Sequence, residues 1–190
     1  MKIGIDIDDT VMSFFPVFTQ FCNKKLGKSL SPLDFASDFF KPLGKEKTIL
    51  FLERYIQEEH SPSQLVFEDF KEIFPQLNKK EFSFITSRVN ANEKQREETL
   101  KFFKDTFESF KSEIYYTSDK GVKKYEFCVE NKFDLMVEDN LGVARDCVNN
   151  GIKVILLDKP WNQGVLPEGI YRVKDWNEAM EVIEKIENEN

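Results

Sequence analysis

Three carboxylates crowd the start of the chain, at Asp6, Asp8 and Asp9 in Lys2-Ile3-Gly4-Ile5-Asp6-Ile7-Asp8-Asp9-Thr10-Val11. Their mutual repulsion costs on the order of several kcal/mol unless a cation offsets it. A hard divalent cation such as Mg²⁺ wants oxygen ligands of this kind. Three further sets of polar residues stand at the ends of apolar runs: Thr86-Ser87-Arg88, Lys124, and Glu138-Asp139-Asn140. Carboxylates, a hydroxyl, an ammonium and more carboxylates, brought to one place, could bind and polarise an anionic group. Each set has a plainer reading. The first is an acidic turn leaving a strand, and Thr86-Ser87 ends a strand or caps a helix. Lys124 is a solvated helix lysine, with Lys120 and Lys123 as rivals for any role, and Glu138-Asp139 is a turn before a helix. Asp9 is as readily a turn carboxylate as a functional one, and the plainer reading of Thr10 is that it fixes the loop.

The elements that must position these residues alternate. Lys2 onward alternates and then fills with Ile, as a strand buried on both faces of a parallel sheet does. Further strands are read at Glu81–Arg88, Ile114–Thr117, Phe133–Glu138 and Ile152–Leu157, with a short one at Tyr171–Val173. Helices are read between them: from Asn92 with Leu100, Phe103, Phe107 and Phe110 as its stripe, from Val122 to Asn131, and from an Asn140 cap to before Gly151. Asp175 caps a last helix, and the charged tail from Glu184 is expected to fray. Strands alternating with helices imply a doubly wound parallel α/β sheet, in which ligands bind outside the carboxyl ends of the strands. All four polar sets fall there. From Ser13 to Leu77 the pattern is instead helical and rich in Phe. Ser31-Pro32 starts one helix, Lys45–Glu58 forms another, Pro62 breaks the chain, and Leu65–Phe74 forms a short one. The division expected is an α/β core of residues 1–15 and 78–190 with a helical cap, 16–77, inserted after the first strand.

Asp-x-Asp-x-Thr after a first strand, a strand-end Thr86, a helix-opening Lys124 and Glu138-Asp139 after the fourth strand together resemble the motifs of the haloacid-dehalogenase-like (HAD) phosphatase superfamily. The resemblance implies Asp6 as nucleophile, forming an aspartyl-phosphate, and Asp8 as general acid/base. Thr86 would contact a phosphoryl oxygen, and Lys124 would neutralise nucleophile and phosphoryl group. Mg²⁺ would sit among Asp6, Asp139 and the Asp8 carbonyl. Glu138 stands where many relatives have Asp or Gly. Asp8 separates subfamilies, since dehalogenases and P-type pumps lack an acid two residues after the nucleophile while phosphatases and mutases keep it.

A finer likeness, to the 5'(3')-deoxyribonucleotidase-like family, is carried by Ile5-Asp6-Ile7-Asp8-Asp9-Thr10, Ile85-Thr86-Ser87-Arg88, Val137-Glu138-Asp139-Asn140 and Leu157-Asp158-Lys159-Pro160-Trp161-Asn162. It implies that Arg88 and the loop holding Trp161 line the site mouth. Ser87, Glu138 and Asn140 would support the site from its edge. Phe14, Phe15, Phe18, Phe39, Phe40 and Tyr55 crowd the cap side. Most must be core, but Phe14 and Phe15 follow the catalytic loop so closely that one should face the cleft. A flat base stacked there gains ~1–3 kcal/mol, so the expected activity is Mg²⁺-dependent hydrolysis of a nucleoside monophosphate. The alternatives are a phosphatase of another metabolite, a phosphotransferase or mutase, and a receiver-like phospho-acceptor domain that is not an enzyme.

Composition narrows the partners. The 190 residues carry 34 acids against 27 bases, a net charge of -7, which argues against duplex nucleic acid but not against small phosphorylated metabolites, because a metal supplies positive field locally. Cys22, Cys128 and Cys147 are odd in number and sit in apolar helical contexts, so buried thiols in a reducing cytoplasm are expected. No signal-like or membrane-length apolar run is seen. The single His, His60, lies in a charged run and reads as a solvated loop residue.

Overall fold

The computed structural model describes residues 1–58, 65–88 and 93–189. His60, Pro62 and Asn92 lie outside the described residues. Six strands, β1 (Lys2–Ile5), β2 (Glu81–Thr86), β3 (Ile114–Tyr116), β4 (Leu135–Glu138), β5 (Lys153–Leu157) and β6 (Ile170–Val173), form one sheet in the order β3-β2-β1-β4-β5-β6. Every pairing between them is parallel. β1 therefore lies at the middle of the sheet, with the chain order reversing beside it, and its carboxyl end opens the crevice where α/β sheets bind ligands.

The side-chain period of two divides the strands between two cores. Ile3, Ile5, Phe82, Phe84, Leu135, Val137, Ile155 and Leu157 face one way. They pack under α4 (Glu68–Leu77), α5 (Glu93–Thr106) and α8 (Trp176–Asn188). Ile85, Met136, Val154 and Leu156 face the other way, against α6 (Lys124–Glu130) and α7 (Leu141–Val148). The Phe-rich composition goes largely to the first core. Phe74 stacks on Phe107 with centroids 4.2 Å apart, and Phe70 meets Trp176 at 4.7 Å. α5 stops at Thr106, so Phe107 and Phe110 reach this core from the turn after the helix rather than from its stripe. Side chains at both helix starts satisfy free backbone N–H groups: Asn140 Oδ1 accepts from Gly142 and Val143, and Asp175 Oδ1 accepts from Glu178. The tail expected to fray instead continues α8 to Asn188, because Ile186 is buried. All three cysteines are buried free thiols.

Three helices, α1 (Phe15–Leu26), α2 (Pro32–Ser37) and α3 (Lys45–Glu58), make a separate core of Phe18, Phe21, Cys22, Phe35, Phe51 and Tyr55. Ser31 and Asp34 form a reciprocal cap at the start of α2. The expected cap range, 16–77, includes α4, but Phe70, Ile73, Phe74 and Leu77 pack with the sheet. On packing, the insertion ends before α4. Its two ends are tied together: Met12 and Val66 form an antiparallel bridge, Ser13 donates to the Leu65 carbonyl at 2.8 Å, and Phe67 donates to Val11 at 3.0 Å.

Candidate active site

β1 ends at Ile5, yet the backbone stays in register for one more residue, with Asp6 N–H donating to the Val137 carbonyl at 3.0 Å. The turn then closes on itself, since the Ile7 carbonyl accepts from Val11 and Met12. Asp9 occupies the left-handed region at φ 58°, which Asp tolerates better than most residues. Its buried carboxylate reaches forward: Oδ1 accepts from Phe14 N–H and Oδ2 from Phe15 N–H, each at 2.9 Å. The first helix of the insertion is thus fastened to the loop after β1 by both oxygens of one side chain. Burial raises the Asp9 pKa from 3.8 to about 8, against the pull of those two bonds. Thr10 works through its carbonyl, which accepts from Trp176 Nε1 at 2.8 Å; its buried hydroxyl has no hydrogen-bond partner among the described residues.

Asp6, Lys124 and Glu138 form a buried charged row. Lys124 Nζ lies 2.6 Å from Asp6 Oδ1 and 3.0 Å from Glu138 Oε2. Lys124 opens α6 and points back under the sheet edge, whereas Lys123 is exposed and lies 3.9 Å from Asp146. Burial alone would lower the Lys124 pKa, but Asp6 and Glu138 hold it above the ordinary value. Burial raises Asp6 and Glu138, with Lys124 pulling both down. Asp139 is raised by burial, then by Asp6, to about 7.

Oxygens of Asp6, Glu138 and Asp139 all lie within 4.8 Å of one another. Three buried carboxylates against one buried ammonium leave negative charge uncompensated, and the donors are all hard oxygens, so the cluster fits a divalent cation such as Mg²⁺.

Asp8 points elsewhere. Its carboxylate is held by the Arg88 guanidinium in a two-pronged pair, Nε to Oδ2 at 2.8 Å and Nη2 to Oδ1 at 2.7 Å. The group of carboxylates close enough together to hold a metal is Asp6, Glu138 and Asp139, without Asp8. Thr86 is buried, and its Oγ1 accepts from Arg88 N–H at 3.2 Å. Ser87 is exposed, with Oγ 3.2 Å from Thr117 Oγ1. Asn140 caps α7, its Oδ1 taken up by the Gly142 and Val143 N–H groups.

The loop after β5 closes the site from the far side. Trp161 Nε1 donates to Asp139 Oδ2 at 2.7 Å. Asn162 Nδ2 donates to the Asp139 and Leu157 carbonyls, both at 2.7 Å. Arg172 of β6 in turn donates to Asn162 Oδ1 at 2.7 Å. Of the two phenylalanines expected near the cleft, Phe14 stacks inside the cap on Phe18, with centroids 5.6 Å apart. Phe15 is the one that reaches Trp161, edge-on at 5.6 Å. A pocket of about 150 Å³ lined by Ser87, Lys123, Lys124, Tyr125, Val143 and Asp146 opens beside the row. A larger hollow of about 300 Å³ in the cap, lined by Val17, Gln20, Phe21, Lys24, Tyr55 and Leu65, contains none of the site carboxylates.

Sequence reasoning did not find the anchoring role of Asp9, the Arg88–Asp8 pair, or the Arg172–Asn162 support. Only Asp9 left a local signal, a carboxylate six residues before the start of a helix whose N-cap residue, Phe14, makes no side-chain cap.

The chain has the haloacid-dehalogenase-like α/β fold. A HAD-like hydrolase from Streptococcus pneumoniae superposes with a TM-score of 0.66 at 13% identity, over 96% of this chain and 97% of that one. A HAD hydrolase from Bacillus subtilis, solved bound to magnesium, gives 0.60 at 13% identity, over 95% and 97%. One from Deinococcus radiodurans, solved with bound phosphate and sodium, gives 0.61 at 12% identity, over 97% and 95%. In sequence, the chain is 25% identical over 193 aligned positions to a protein named as a nucleotidase from Clostridium acetobutylicum, covering 98% of this chain and 95% of that protein. No protein-family model matches the chain. The sheet order also departs from the 2-1-3-4-5 order of receiver domains, which removes the receiver-like reading. Among the described residues, no helix is long and apolar enough to cross a membrane.

Proposed function

We propose that the chain is a phosphomonoester hydrolase that works through an aspartyl-phosphate on Asp6 and acts on nucleoside monophosphates. The observation that carries this reading is the buried row in which Lys124 lies 2.6 Å from Asp6, beside the Glu138–Asp139 pair. An Asp6 oxygen attacks phosphorus, the ester P–O bond breaks, and the leaving oxygen takes a proton from Asp8. Water then attacks the phosphorus of the acyl phosphate, gives its proton to Asp8, and releases inorganic phosphate and Asp6. Lys124 pulls the Asp6 pKa down against the effect of burial and offsets charge that gathers on the phosphoryl oxygens. Thr86 stands at the end of β2 to meet one of those oxygens. Asp6 and Asp139, with the Asp8 carbonyl, would hold Mg²⁺, which when bound supplies positive charge to the phosphoryl group.

The choice of nucleotides rests on two things: the name borne by the Clostridium relative, and the Phe15–Trp161 pair, which sets aromatic faces beside Asp139. The buried free thiols suit a reducing cytoplasm.

The test is Mg²⁺-dependent phosphate release from p-nitrophenyl phosphate and from a panel of nucleoside monophosphates and hexose phosphates. Asp6→Asn is expected to abolish release, and substantial turnover by that variant refutes the nucleophile assignment. Nucleotides are expected to show the higher kcat/KM. Equal or better turnover of hexose phosphates leaves a phosphatase of another metabolite.

A further inference from the structure

Lys124 and Arg88 are each ion-paired to carboxylates of the candidate site, and the structure treats them differently. Lys124 is locked between two buried carboxylates, with only 6% of its side chain exposed. Arg88 and its partner Asp8 are 23% and 24% exposed, at the open side. Arg88 is fixed at its backbone, where N–H donates to Thr86 Oγ1 and the carbonyl accepts from Ser118 Oγ at 2.6 Å. Among the described residues its side chain is held by Asp8 and by a 3.3 Å contact from Nη2 to Met12 Sδ. Nη1 makes no hydrogen bond among the described residues. The long side chain can therefore swing without moving its strand.

The pairing has a chemical consequence. A guanidinium fork on both oxygens occupies the carboxylate that the reaction needs for proton transfer to the leaving oxygen. The same fork fits two phosphoryl oxygens as well as it fits a carboxylate. An incoming phosphate dianion competes with Asp8 for it, in a site otherwise dominated by acids.

We propose that Arg88 is a substrate-exchanged latch: it holds the ionised Asp8 in the resting enzyme and passes to the phosphoryl group of the bound substrate, which frees Asp8 to take a proton from solvent water and hand it to the leaving oxygen. The proposal rests on the phosphatase reading above. It adds a second phosphate-binding cation to that site and makes a phosphoryl dianion the trigger that arms it.

The test measures kcat and KM for p-nitrophenyl phosphate, and the Kd of inorganic phosphate by calorimetry with Mg²⁺, in wild type, Arg88→Gln, Arg88→Lys, Asp8→Asn and the Asp8→Asn/Arg88→Gln double variant. Loss of a hydrogen bond to a charged group predicts a rise in KM and phosphate Kd of roughly tenfold to a hundredfold in Arg88→Gln. Arg88→Lys, which keeps the charge but not the fork, should fall between. Asp8→Asn removes the competitor, so phosphate should bind more tightly than to wild type. That tightening should shrink markedly when Arg88→Gln is added, a coupling that a purely structural arginine does not produce. Unchanged KM and phosphate Kd in Arg88→Gln, with or without a fall in kcat, overturn the latch and leave Arg88 a fixed support of Asp8. If Arg88→Gln does not fold, the same comparison is made with Arg88→Lys, where unchanged phosphate affinity overturns it equally. A wild-type protein that neither turns over phosphomonoesters nor binds phosphate refutes the phosphatase reading and the latch together, and that failure is seen before any variant is made.

Discussion

Trp161 donates its indole N–H to Asp139 Oδ2 at 2.7 Å, so one oxygen of a carboxylate in the acidic cluster is fixed in place. Partners of this kind orient a metal ligand, and losing one typically costs 10–100-fold in metal affinity or activity. Trp161→Phe keeps the ring that Phe15 touches and removes only the donor. It should weaken Mg²⁺ activation by roughly that factor, read as the Mg²⁺ concentration for half-maximal turnover. Unchanged Mg²⁺ dependence would show that Asp139 needs no such orientation.

Lys124 is the only described ammonium within salt-bridge distance of both Asp6 and Glu138. Removing one partner from a buried ionic group leaves charge without compensation, at a cost of about 3–5 kcal/mol. Lys124→Met should therefore lower unfolding stability in urea by about that much without a divalent cation, and Mg²⁺ should restore part of it. A variant as stable as wild type in EDTA would contradict the burial argument.

Both oxygens of the Asp8 carboxylate are taken up by Arg88. Asp8→Asn should slow turnover by ~10²–10⁴-fold, the range for a lost acid/base, while Mg²⁺ still binds. Calorimetric loss of Mg²⁺ binding in this variant would instead make the Asp8 side chain a ligand.

Asp9 and Asp139 titrate at about 8 and about 7 in the folded protein, against 3.8 ordinarily, because burial penalises their charged forms. Well below pH 3.8 both are neutral, folded or unfolded. As pH rises, the unfolded chain loses these protons first, so the stability they contribute is lost progressively up to the folded pKa values of 7 to 8. Each group steepens the fall by at most about 1.4 kcal/mol per pH unit. In EDTA, the stability of wild type should drop between pH 5 and pH 8 by more than that of Asp9→Asn, and Mg²⁺ should flatten the Asp139 share by holding it ionised. Equal slopes for wild type and Asp9→Asn in EDTA would remove Asp9 from this account.

Much of the site was legible because its parts are local. Asp6 and Asp8 are fixed by spacing after a buried strand, Asp139 by its place after β4, and Lys124 by opening the helix that leads into β4. What stayed hidden depends on contacts distant in sequence. Arg88 and Asp8 are 80 residues apart, and nothing near either one announces the other. The helical stripe of Phe70, Ile73, Phe74 and Leu77 reads the same whether it buries against the cap or the sheet, so periodicity could say that α4 buries a face but not against what. Phe14 and Phe15 are neighbours of one type, and only their directions on α1 decide which meets Trp161.

The bridge between Met12 and Val66 brings the entry and exit of the three-helix insertion to one hydrogen-bonded point. The sheet's strand order and pairings do not depend on what hangs beyond that point, since α1, α2 and α3 bury their aromatics mainly among themselves. Evolution can therefore trade one cassette for another at this doorway, longer or shorter at little entropic cost, and alter what the mouth admits while the carboxylates beneath keep their places.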